Sequence, residues 1–92
     1  MALEFEWDEN KSRSSLKKHG VDFQEGKTVF NDPFAITIYD PDYSESEERY
    51  LDIGISSKGR ILVVWYTERN DKIRIIGCRK ATRFEREQYE KE

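Results

Sequence analysis

The sequence contains one cysteine, Cys78, and one histidine, His19. A lone cysteine excludes an internal disulfide framework and points to a reducing compartment. One cysteine and one histidine also fall short of the four Cys/His ligands that a structural zinc site normally takes. No apolar run approaches the roughly 20 residues of a membrane-spanning helix. The opening MALEFEWDEN lacks the basic flank and apolar core of a signal peptide. The expectation is a cytoplasmic protein with no metal, no cofactor and no membrane contact. There is no internal repeat and no low-complexity segment, so residues 1–92 are expected to form a single domain.

What is present argues for a folded chain with polarised charge. Charged residues make up 38% and apolar residues only 36%, but aromatics reach 13%. Disordered chains are poor in aromatic and β-branched residues, and here these gather into periodic runs. Residues 58–86 hold nine Lys/Arg against three acids, whereas residues 1–57 hold six against thirteen. The formal net charge of −3 hides this asymmetry.

LEFEWD alternates apolar Leu3, Phe5 and Trp7 with acids, the period of a short strand. Asp8 is placed to cap a helix that runs to Gly20, with Leu16 as its one strong apolar anchor. Asp22 caps a second short helix, with Glu25 at the capping-box position, and Pro33 marks its end. FAITIYD, RYLDIGISS, RILVVWYT and KIRIIGC read as strands, the last three joined by turns at Lys58-Gly59 and Asn70-Asp71. Thr82 and Glu85 form a capping box for a final helix. The acidic segment between Asp40 and Glu48 lacks the spacing of a calcium loop, and reads as solvated or as a docking strip for a basic partner. If both hairpins have two-residue loops, Leu51, Ile53, Ile55, Leu62, Val64, Tyr66, Ile73 and Ile75 share the helix-covered face. Glu68 and Arg79 then have that same parity, at its rim.

Arginine offers phosphate a planar fork of donors and keeps its charge at any physiological pH. The basic stretch contains Arg60, Arg69, Arg74, Arg79, Arg83 and Arg86, interleaved with Trp65 and Tyr66 and followed by Tyr89. That pattern suits an RNA surface with stacking aromatics, or else a solvated rim paired with the protein's own acids. Lys18 and His19 could contact phosphate, with His19 a general base, or His19 could simply meet the last carbonyls of its helix. Glu68 could be a general base, or a surface partner of Arg69 or Lys72. Tyr89 could stack on substrate, or pack the last helix on the sheet.

The stretches FEWDENKSRSSLKKHGVDF, VFNDPFAITIYDPD and EERYLDIGISSKGRILVVWYTERNDKIRIIGCRKATRFEREQYE together resemble the BrnT family of type II toxin–antitoxin systems. The resemblance spans almost the whole chain. It implies an α+β, RelE-like fold: a mainly antiparallel four- to five-stranded sheet, two N-terminal helices and one C-terminal helix. It also implies a ribonuclease that inhibits translation, neutralised by a BrnA-type antitoxin that carries the contact with operator DNA. A looser similarity to RelE adds Arg60, Arg79 or Arg83, and Tyr89 as candidates. The expected catalytic set is Glu68, Arg69, Arg79 and Arg83. The expected RNA-binding set is Arg60, Arg74, Lys18, His19 and Tyr89. Cleavage would be metal-independent, by attack of a ribose 2′-hydroxyl, with the base left open among Glu68, His19 and an arginine-polarised water. A module that binds RNA or DNA without cutting it, or a protein-interaction adaptor, is the alternative.

Overall fold

A computed structural model describes residues 3–40 and 47–91. Residues 41–46, most of the acidic segment, lie outside it. The chain runs β1 (Glu4–Glu6), α1 (Glu9–His19), α2 (Phe23–Lys27), a 3-10 turn (Thr28–Asn31), β2 (Ile36–Asp40), β3 (Arg49–Ile55), β4 (Ile61–Arg69), β5 (Lys72–Lys80) and α3 (Arg83–Glu90). One sheet has the order β1-β5-β4-β3-β2, with β1 parallel to β5 and every other pair antiparallel.

The helix boundaries follow local chemistry. The Asp8 carboxylate accepts from the backbone N–H of Asn10 and Lys11, and Gly20, at φ +71°, closes α1 by donating to the Leu16 carbonyl. Only glycine reaches that left-handed conformation without a steric penalty. Thr82 and Glu85 form the expected reciprocal box. At α2 the box is half made: Asp22 accepts from Glu25 N–H, but the Glu25 carboxylate turns into the protein.

Two expectations about side-chain direction are corrected. The β3–β4 loop has three residues, not two: Ser56 N–H donates to the Arg60 carbonyl at 2.8 Å, and Gly59 supplies the positive φ of +78°. One extra residue inverts parity along the strand. Leu51, Ile53 and Ile55 therefore pair with Trp65, Val63 and Ile61 on the face away from α1 and α2, and Tyr50, Asp52 and Gly54 take the helix side. The β4–β5 turn is the expected two-residue one, with Asn70 and Asp71 both at positive φ. A bulge then intervenes, because Tyr66 pairs with Ile75 and Trp65 with Gly77, leaving Ile76 without a partner residue. Arg79 consequently lies opposite Val63, on the Trp65 face rather than the helix-covered one.

The main core fills the helix side: Val21, Phe23, Val29, Leu62, Val64, Tyr66, Ile73, Ile75 and Cys78, with Phe5, Trp7 and Phe30 packed against it. On the other face, Ala81 and Tyr89 close over Ile53 and Val63 beneath α3. Leu16 does not anchor α1, being 50% exposed. The helix is held by small buried serines instead. Ser12 accepts from Phe23 N–H at 3.0 Å, and the Ser15 hydroxyl reaches the carbonyls of Val21 (2.6 Å) and Cys78 (3.0 Å). Small side chains let the helix backbone lie close to β5. Among the described residues no helix is long and apolar enough to cross a membrane.

Candidate functional site

An open groove of about 430 Å³ runs between α1 and β5. Lys11, Ser14, Ser15, Lys18 and His19 form its helical wall, and Trp65, Ile76, Gly77, Cys78 and Arg79 its sheet wall. Lys11, Ser15 and Lys18 fall at i, i+4 and i+7, one stripe of the helix. The bulge at Ile76 gives the opposite wall, since without it Arg79 would turn to the other side of the sheet.

Arg79 is the most constrained cation there. Its Nη1 and Nη2 donate to the two carboxylate oxygens of Glu85 at 2.7 and 2.9 Å, and Nη1 also donates to the Lys80 carbonyl at 3.1 Å. The guanidinium lies 5.0 Å over the Trp65 ring. Glu85 is fixed in turn by the Thr82 N–H at 2.8 Å. The hydrogen bond from Arg79 lowers the Glu85 pKa against the opposing effect of burial, so the pair is charged at neutral pH. A guanidinium has five N–H donors. The bonds to Glu85 and Lys80 leave the Nε–H and one Nη2–H, which share an edge and can fork one phosphate.

The remaining candidates lie elsewhere. Arg60 donates to Glu25 through Nε and Nη2 and to the Gly20 carbonyl at 3.0 Å. It ties the end of α1 to the start of β4 and so sets the position of Lys18 and His19. Gly20 N–H closes the last turn of that helix, and His19 lines the groove. Glu68 and Arg69 sit at the far end of β4, three and four residues beyond Trp65 or about 10–13 Å along the strand. Glu68 lines a separate acidic depression with Glu47, Glu48 and Tyr50, while Arg69 pairs with Glu47 at 2.6 Å. Arg74 approaches Glu6 at 3.5 Å. Arg83 is largely exposed and meets Glu87 one helical turn on. The Tyr89 hydroxyl donates to Asp32 at 2.6 Å, which together with burial pushes its pKa up to about 12. The expected catalytic four are therefore not assembled; Arg79 instead shares a groove with Lys18 and His19. Lys11 and Trp65 were not among the expected site residues. The spacing of Lys11 with Lys18 was a usable signal, whereas the approach of Trp65 to Arg79 depends on the bulge.

Among the described residues no group of three or more His, Cys, Asp or Glu side chains could hold a metal ion. The decisive comparison is with protein-family models: residues 7–85 match that of the ribonuclease toxin BrnT of type II toxin–antitoxin systems. The chain belongs to the BrnT toxin family. The fold agrees with that of a solved relative, the Brucella abortus ribonuclease toxin BrnT, whose crystal structure was determined at 1.1 Å resolution. The TM-score is 0.66 at 21% identity, covering 89% of this chain and 100% of that one. The five-stranded, mostly antiparallel sheet with two N-terminal helices and one C-terminal helix is thus a BrnT fold. No curated protein sequence matches the chain. Membership of a type II system implies a protein antitoxin as partner.

Proposed function

We propose that this BrnT toxin is a metal-independent endoribonuclease whose active site is the α1–β5 groove. The observation that carries the reading is Arg79, held by Glu85 on one edge with its other edge available to a phosphate, facing Lys11, Lys18 and His19. His19 takes the proton of a ribose 2′-hydroxyl, whose oxygen attacks the adjacent phosphorus. Charge builds on the phosphorane oxygens, where the Arg79 fork stabilises it without having to reorganise, while Lys11 and Lys18 hold the RNA backbone in the groove by charge. The P–O5′ bond breaks, and the departing 5′-oxygen takes a proton from solvent, to which His19 gives up the one it accepted. The products are a 2′,3′-cyclic phosphate and a 5′-hydroxyl. Trp65, beside Arg79, offers an unpaired base a stacking surface, which suits single-stranded RNA, free or ribosome-associated. Cleavage of cellular RNA in this way would inhibit translation. The antitoxin is of the BrnA type, and operator DNA is reached only through it.

The test is incubation of the purified toxin with labelled RNA in EDTA, beside Arg79→Ala and His19→Gln, with analysis of the fragments' 3′ ends. Wild type should leave 2′,3′-cyclic phosphates. Each variant should lose about 100-fold or more in rate. Undiminished cleavage by His19→Gln removes the proposed base. RNA binding without any cleavage makes the groove a binding surface only.

A further inference from the structure

Above the sheet, on the face that carries Trp65 and Arg79, a polar row crosses all five strands. Asp40 pairs with Arg49, Arg49 with Thr67, Thr67 with Arg74, and Arg74 with Glu6. Carboxylates stand at the two ends, with Arg49 Nε 3.9 Å from Asp40 and Arg74 Nη1 3.5 Å from Glu6. At the centre Thr67 is only 5% exposed, and its hydroxyl has no hydrogen-bond partner among the described residues. A buried hydroxyl without a partner costs free energy, and valine would fill the same space without that cost. A hydroxyl placed so between two arginines suits a ligand that supplies the missing bond. Guanidinium groups on both sides make that ligand an oxyanion. Arg74 spends one of its five donors on Glu6, at the limit of hydrogen-bonding distance.

The row stands in register with the groove. One residue pair along lie Leu51, Trp65 and Gly77, and the next pair brings Ile53, Val63 and Arg79. From Thr67 to Val63 is four residues of β4, about 13 Å. A short oligonucleotide spans that distance and a single free phosphate does not.

We propose that Arg49, Thr67 and Arg74 bind a second backbone phosphate of the RNA whose scissile phosphate rests on Arg79, with Trp65 lying between the two stations. The proposal rests on the reading of the groove as the RNA site and adds the path of the strand away from it. Thr67 is covered in the free protein, so the ligand engages it by drawing the flanking side chains onto itself.

The experiment measures fluorescence anisotropy of labelled, 2′-O-methylated RNA of two and six nucleotides, with thermal melts of the same proteins. Thr67→Val should raise the melting temperature, since it removes a buried hydroxyl without a partner. It should also weaken hexanucleotide binding about tenfold, and so reduce the preference for the longer RNA. Arg74→Gln should flatten the dependence of log affinity on log salt by about 0.7 for the hexanucleotide. A higher melting temperature with unchanged hexanucleotide affinity refutes the subsite. So does a lower melting temperature in Thr67→Val, which would mean that the hydroxyl has a partner. Weakened antitoxin binding with RNA affinity intact would assign the row to the protein partner and overturn the proposal. Wild-type binding that is equal for both lengths sinks the second station alone, whereas no wild-type binding sinks the groove as well.

Discussion

Replacing Arg60 with alanine tests whether this arginine is scaffold. The Glu25 side chain is 2% exposed and that of Arg60 32%, so the pair is buried on one side and wetted on the other. Burial alone would raise the Glu25 pKa. The hydrogen bond from Arg60, with help from the Ser56 hydroxyl and the charges of Arg60 and Lys58, outweighs burial and lowers it below the ordinary 4.5. Removing one partner of a buried pair costs about 3–5 kcal/mol, and the exposure of Arg60 places this case at about 3. For a domain of this size that corresponds to a fall of about 12–24 °C in melting temperature.

The pH dependence distinguishes this account from simple loss of packing. In the wild type, a depressed pKa means that the stability from Glu25 is present above pH 4.5 and is lost as pH falls through the folded value. In Arg60→Ala the Arg60 contribution is gone and burial dominates, so stability falls as pH rises through 4.5. The deficit should therefore be small near pH 4 and grow toward pH 7 in thermal melts followed by circular dichroism. Adding Glu25→Gln to Arg60→Ala should recover part of the loss, because the uncompensated charge is then absent. A variant within about 4 °C of wild type at pH 7, or a deficit independent of pH, refutes the argument.

Two further outcomes are expected. Gly54→Ala would bring a methyl group to 2.9 Å from both Ala35 Cβ and Val29 Cγ1, so it should destabilise by about 1–3 kcal/mol in urea melts; no change would refute the close packing of β3 on this segment. Asp52 is buried, which raises its pKa against hydrogen bonds from Thr37 and Tyr66. Wild-type stability should then decline as pH rises from 3.8 through the folded value, and Asp52→Asn, which keeps the acceptor oxygen, should abolish that decline. An asparagine variant less stable than wild type at pH 7 would show that the carboxylate is stabilising.

The parts of the fold legible in the sequence were those fixed by residues close together in the chain. Asp8, Asp22 and Thr82 cap helices because a short polar side chain reaches an N–H two or three residues on. Asn70 and Asp71 tolerate the positive φ of a two-residue turn. What escaped was set by neighbours distant in sequence or by the addition of one residue. A loop one residue longer turned Leu51, Ile53 and Ile55 to the opposite face, and an Ile76 bulge did the same for Arg79. Ser12 and Ser15 outrank Leu16 in holding α1 because their hydroxyls meet backbone groups of Phe23, Val21 and Cys78. Nothing near Arg60 in the chain announces Glu25, thirty-five positions away. Lys18 and His19 were legible as a pair, while their meeting with Arg79 is a tertiary event.

The basic stretch is less cationic in space than in sequence. Arg60, Arg69, Arg74, Arg79 and Arg83 each lie within 4.0 Å of a carboxylate, on Glu25, Glu47, Glu6, Glu85 and Glu87. A held guanidinium contributes little net charge to long-range attraction, but its fork is already oriented when a phosphate arrives. If the groove is the RNA site, as proposed, orientation and attraction are divided between residue types in it. Arg79, braced by Glu85 and Trp65, supplies direction, and Lys11 and Lys18 on the facing helix supply charge. Neutralising the lysines should therefore act mainly on RNA affinity and its salt dependence. Loss of the Arg79 fork should act mainly on the chemical step, where oriented charge matters most. If Lys11→Gln and Lys18→Gln together lowered the cleavage rate at saturating RNA as severely as Arg79→Ala while leaving affinity unchanged, this division of labour would be wrong.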